Sequence, residues 1–180
     1  MKTQFTTQKM AIAGLCIALY IVVMVCTQSF AFGQYQIRIA TALYSLSAIF
    51  PFLILPFGIA NVISNTVMGG LGVLDIVGGF IVGILTTAII AYGKRKGCGN
   101  WIIWLAITFV PGLCVPMWLS MLLNLPYWLL ASSILVGQCI SGFAGMLLVT
   151  ALERIGIGKV ILAGGNSKGL VEEQKKNCRA

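Results

Sequence analysis

The sequence predicts an all-α integral membrane protein, a six-transmembrane-helix bundle with N and C termini cytoplasmic. Three observations carry that expectation. Of 180 residues, 59% are hydrophobic and only 9% charged, whereas charged residues make up about a quarter of soluble domains. The apolar stretches leave room for about six spans of roughly 20 residues each. The cations also sort into three segments: Lys2 and Lys9, then Lys94-Arg95-Lys96, then Arg154, Lys159, Lys168, Lys175, Lys176 and Arg179. The positive-inside rule puts all three on the cytoplasmic side, so four spans precede Lys94 and two follow Lys96. Residues 1–153 are read as the membrane domain and residues 154–180 as a basic, Gly-rich, flexible cytoplasmic tail that can touch anionic lipid.

The net charge of +8 does not point to nucleic acid, which needs a basic face on a soluble fold. The first span is placed at about residues 10–30, a run too long for the apolar core of a cleaved signal peptide. The second, at about 37–55, carries Arg38, Thr41, Ser45 and Ala48 at spacings that share one α-helical face; Pro51 and Pro56 mark its inner end. The third, at about 57–68, is short and holds Asn61 and Asn65 one turn apart, either as interhelical glue or as part of a binding site. Gly69 to Gly72 is expected to form an outer loop, after which Asp75 opens the fourth span near the level of Arg38. These two residues are the only charges away from the basic segments, and they either neutralise one another or face a ligand.

The fifth span contains Pro111-Gly112 and Pro116 and is expected to be broken, which at membrane depth requires buried or cavity-lining backbone. Trp118, Asn124, Tyr127 and Trp128 cluster at the following outer turn, as an interfacial belt or as covers for a planar ligand. The sixth span, at about 126–152, contains Gln138 and a small-residue ridge at Gly137, Ser141 and Gly145. A second ridge lies at Gly14 and Ala18 on the first span. One of the two ridges is expected inside the bundle and the other against a partner.

Catalytic chemistry is sparse. The chain has no histidine, no P-loop pattern, and a single intramembrane acid, so neither an enzyme nor an ATPase is expected. The six cysteines lack metal-ligand spacing and are read as reduced small hydrophobes. No metal or other cofactor is implied.

The stretch Gln36-Ile37-Arg38-Ile39-Ala40-Thr41-Ala42-Leu43, together with Asn61 to Asn65 and Gly70-Leu71-Gly72-Val73-Leu74-Asp75-Ile76-Val77-Gly78-Gly79, resembles the queuosine-precursor (QueT) family of substrate-binding S components of energy-coupling factor (ECF) transporters. The specific match is concentrated between residues 34 and 87. The resemblance implies a subunit of the bacterial plasma membrane that captures a 7-deazaguanine (preQ0, preQ1 or queuine). It would dock on a transmembrane scaffold protein and be powered by two cytosolic ATPases, with Gly14 and Ala18 matching the docking motif. Two departures remove negative charge: Thr41 and Gln138 stand where the family's pattern has acids, which argues against a strongly cationic ligand.

The chemistry of the residues is compatible with that implication. A carboxylate such as Asp75 accepts two parallel N–H groups of a guanine-like edge. Asn61, Asn65 and Gln138 suit carbonyl and ring-nitrogen readout, Tyr44 or Trp118 suits stacking on a planar ring, and Arg38 orients Asp75 or donates to a carbonyl. The same residues fit another flat vitamin or tryptophan, and a structural membrane protein whose polar groups only join helices is the third reading. An open pocket of about 300 Å³ favours capture, and a closed, satisfied bundle favours the structural role.

Overall fold

The computed structural model describes residues 2–28, 38–68 and 72–155, with side chains from residue 7 onward. All of its regular structure is helical: α1 (Lys2–Cys26), a 3-10 helix (Ile39–Ala48), a 3-10 turn (Pro51–Leu53), α2 (Ile54–Val67), α3 (Val73–Arg95), α4 (Trp101–Leu123) and α5 (Tyr127–Ile155). Among the described residues, four helices are long and apolar enough to cross a membrane: α1 from Thr7, α3, α4 and α5. The segments Ile39–Ala48 and Pro51–Val67 are apolar but shorter. The turn expected at Gly33 to Gln36, Gly69 to Leu71 of the outer loop, and the tail after Ile155 lie outside the described residues.

Polarity is arranged inside out. Leu15, Val22, Leu74, Phe109, Met121 and Leu129 are exposed, while Arg38, Asn61, Asn65, Asp75, Thr87 and Gln138 are buried. A water-soluble fold hides the first set and wets the second; lipid reverses the preference. The protein is therefore a membrane protein.

The second segment corrects the expectation of an α-helix over residues 37–55. It is wound as a 3-10 helix and ends before Phe50, whose N–H, like that of Ile49, bonds Leu46 O. The local cause is visible in its side chains. Thr41 Oγ1 donates to Arg38 O at 2.6 Å and Ser47 Oγ to Tyr44 O at 2.7 Å, both spanning three residues, while Ala40, Ala42, Ser45 and Ala48 are small enough for the eclipsed rows of this winding. The change of period moves the polar stripe from Arg38, Thr41, Ser45, Ala48 to Arg38, Thr41, Tyr44, Ser47. Ser45 is buried instead against α5, where a Cβ on Gly145 would lie 3.2 Å from its own Cβ and 2.9 Å from Ala42 O. The Gly137, Ser141, Gly145 ridge is thus the one inside the bundle, all three residues being buried. On α1, Gly14 and Ala18 are exposed, and nothing lies within 4 Å of where a Gly14 Cβ would stand.

α4 corrects a second expectation, because it continues through both Pro111 and Pro116. A proline removes one N–H and crowds the carbonyl four residues before it. Gly112 lets Leu135 of α5 pack against the helix at that level, where a Cβ would stand 2.5 Å from Leu135 Cδ2. Tyr127 donates its hydroxyl to Leu113 O at 3.0 Å, next to the carbonyl that Pro116 leaves without its usual partner. At the other end of the bundle, Lys94 pairs with Glu153 at 2.9 Å. Asn100 joins that pair, accepting from Lys94 at 2.6 Å and donating to Thr150 and Glu153.

Candidate substrate site

Five helical segments present one stripe each toward a common cavity. The 3-10 helix contributes Arg38, Thr41 and Tyr44, and α2 contributes Asn61. α3 contributes Asp75, Gly79 and Val82; α4 contributes Pro111, Val115 and Trp118; α5 contributes Ile134 and Gln138. The periods agree with the windings: steps of three on the 3-10 helix, and steps of four and seven on the α-helices. Helix geometry therefore puts each segment's residues on one face, and the packing of the five segments brings those faces together. Seven of the eight residues singled out from the sequence lie on this wall.

Asp75 sits in the first turn of α3, where the helix dipole favours an acid, and is only 4% exposed. Its Oδ1 accepts the indole N–H of Trp118 at 3.1 Å. The indole packs against Gly78, where a Cβ would fall 2.9 Å from two ring carbons. Trp118 thus does not belong to the interfacial belt with Trp128, which is 78% exposed. Thr41 Oγ1 lies 2.9 Å from Gln138 Oε1 as well as 2.6 Å from Arg38 O, its single proton serving both acceptors. The two positions at which the resemblance expects acids are consequently joined as a neutral pair.

Asn65 stands behind the wall. Arg38 Nη1 donates to its Oδ1 at 3.4 Å, and its Nδ2 donates to the backbone carbonyl of Asp75 at 3.2 Å. It ties Arg38 to the first turn of α3, so the two charges are held in one frame through an amide. Asn61 donates from Nδ2 to Tyr44 Oη at 2.8 Å, whereas its Oδ1 is buried without a partner. Gly79 admits both amides: a Cβ there would stand 2.8 Å from Asn65 Nδ2 and 2.9 Å from Asn61 Oδ1.

The enclosed space is about 20 Å³, enough for a water and far below the roughly 300 Å³ at which ligand pockets begin. The polar groups converge on this space, and Trp118 and the Thr41–Gln138 pair are part of its lining. Val82, Val115 and Ile134 are not singled out by the sequence; each lies three or four residues from another wall residue on its own helix. No group of three metal-ligating side chains occurs among the described residues.

Buried charges and amides ringing a small central cavity in a helical membrane protein are compatible with a membrane transporter. The sequence profile of the QueT transporter family matches residues 10–154, and the chain belongs to that family. No curated protein and no solved structure gives a significant match.

Proposed function

We propose that the chain is the S component of an ECF-type importer and that it captures a neutral 7-deazaguanine queuosine precursor. The observation that carries this reading is the convergence of Arg38, Asn61, Asp75 and Gln138, from four segments of a QueT-family chain, on one cavity. Asp75 Oδ2 and the unpartnered Asn61 Oδ1 supply acceptors for the N–H edge of a guanine-like ring, and Arg38 and Gln138 face its carbonyl. The small enclosed volume means that the base enters by displacing the Trp118 indole, whose N–H already occupies Asp75 as a ring N–H of the ligand would. Thr41 and Gln138, paired without charge, favour a neutral substituent over an aminomethyl cation.

In this reading the membrane domain spans residues 1–153 with six crossings of the plasma membrane, and the tail from 154 lies in the cytoplasm. The exposed Gly14 and Ala18 on α1 form the close-approach surface for a transmembrane scaffold protein, with two cytosolic ATPases driving the cycle. The indole seated on Asp75 favours one second reading, an indole-bearing ligand such as tryptophan.

Thermal stabilisation of the detergent-purified protein by 7-deazaguanines, queuine, guanine, tryptophan and common vitamins tests the proposal. A ligand at a hundred times its dissociation constant stabilises by about 2.7 kcal/mol. A shift with neutral 7-deazaguanines supports it, and a shift with tryptophan or a vitamin alone reassigns the substrate. Absence of any shift leaves the polar wall a structural device.

A further inference from the structure

Tyr20 of α1 takes no part in lining the cavity, yet it is completely buried and its hydroxyl lies 3.3 Å from that of Tyr44. The two rings stack at 5.6 Å with 5° between their planes, and Phe57 packs edge-on against Tyr44 at 5.5 Å. The phenols are therefore fixed in position, and what remains adjustable is where their protons point. Tyr44 Oη receives Asn61 Nδ2–H at 2.8 Å. Either hydroxyl of the pair can be the donor; a phenol carries a single proton, and with Asn61 donating to Tyr44 the Tyr44 proton is free to serve Tyr20.

The Asn61 amide turns its NH₂ to Tyr44, and its carbonyl oxygen lies beside Gly79 of the cavity wall, buried with no partner. An acceptor left bare in a buried wall is costly unless something donates to it. The two ends of a side-chain amide are nearly isosteric, so the shape of the cavity does not choose between them; the direction of the hydrogen-bond chain does.

We infer that Tyr20 is a positioning residue for substrate recognition: through Tyr44 it sets Asn61 to present its carbonyl oxygen to the ligand, and so selects a base carrying an N–H donor at that point. The inference rests on the capture reading above and adds to it both a residue outside the cavity and the hydrogen-bond polarity of one contact. Removing the Tyr20 hydroxyl frees the Tyr44 proton to turn toward Asn61. The amide is then able to rotate by half a turn and offer N–H in place of C=O.

The test is a matched pair of probes, 7-deazaguanine and 7-deazahypoxanthine, which lacks the exocyclic amine. Affinities are measured by calorimetry on the full chain in detergent. The unmodified protein is expected to prefer the amine-bearing probe about tenfold or more, the scale of a buried acceptor deprived of its donor. Tyr20→Phe is expected to bring the ratio near one or reverse it, as are Tyr44→Phe and Asn61→Ala. A wild-type ratio retained in Tyr20→Phe overturns the inference, and so does equal weakening toward both probes, which marks a packing role only.

If neither probe binds the unmodified protein, the 7-deazaguanine reading falls while the hydrogen-bond chain is still decided by NMR. With ¹⁵N-asparagine labelling, the Asn61 side-chain signal is assigned by its loss in Asn61→Ala. Tyr20→Phe is expected to move that signal and speed its proton exchange. An unchanged signal overturns the inference.

Discussion

Trp118→Phe separates a plug from a ligand contact, because the substitution keeps an aromatic ring while removing the indole N–H together with the bulk of the fused five-membered ring. In the closed site that N–H donates to Asp75 Oδ1 at 3.1 Å. Hydrogen bonds to charged groups contribute about 1.5–3 kcal/mol, and the lower figure applies because the indole is only half-buried. If ligand and indole compete for the same carboxylate, that energy stabilises the closed state alone. Removing it lowers the stability of the free protein by about 1.5 kcal/mol, or about 3–6 °C in Tm at 2–4 °C per kcal/mol. It also makes the open state about tenfold easier to reach, so Kd for 7-deazaguanine tightens by about the same factor. The two readouts move in opposite senses, and differential scanning fluorimetry with calorimetric titration on one preparation measures both. A Kd that weakens about tenfold together with the drop in Tm would refute the reasoning and make the indole part of the bound complex.

Other expectations follow from the same geometry. Asp75→Asn abolishes ligand binding at concentrations that saturate the unmodified protein while leaving a monodisperse, folded chain, because an amide oxygen still accepts from Trp118; normal affinity would remove Asp75 from the site. Gly79→Ala pushes a methyl within 2.8–2.9 Å of both asparagine amides, and is expected to cost about 1–3 kcal/mol and to lose binding, read by thermal unfolding and titration. Gly14→Leu meets open space, so Tm and Kd stay within about 0.5 kcal/mol of the parent while uptake by cells carrying the full importer is lost; unaffected uptake would put the docking surface elsewhere. Asn100→Ala severs three polar contacts at the far end of the bundle and lowers Tm by a few degrees with Kd unchanged, an altered Kd indicating that the two ends are coupled.

Much of this was legible in the sequence, and where it was not the reasons are physical. Arg38 and Asp75 stand out because a charge amid apolar residues has few places to go in a membrane protein, and the spacing of Gly137, Ser141 and Gly145 marks a contact face because small residues let helices approach closely. The α period gives the wrong stripe for the second segment, because hydroxyls on Thr41 and Ser47 tighten the helix by bonding carbonyls three residues back. The contacts made beside the two prolines of α4, by Leu135 and Tyr127, come from the next helix and are beyond the reach of local propensity. The pairing of Thr41 with Gln138 joins positions 97 apart in sequence. No single-chain periodicity reveals such a partner.

The winding of Ile39–Ala48 has a geometric consequence for the cavity as a whole. A 3-10 helix advances about 120° and 2.0 Å per residue, an α-helix about 100° and 1.5 Å. Over the nine steps from Arg38 to Ser47 the two windings diverge by about 180° in azimuth and about 4–5 Å in length. Were that segment to rewind as an α-helix with Ser47 held in place, Arg38 would swing to the opposite side and be drawn inward by nearly one turn. The polar wall is thus a property of one screw pitch: the same ten residues, wound slightly looser, no longer form a site.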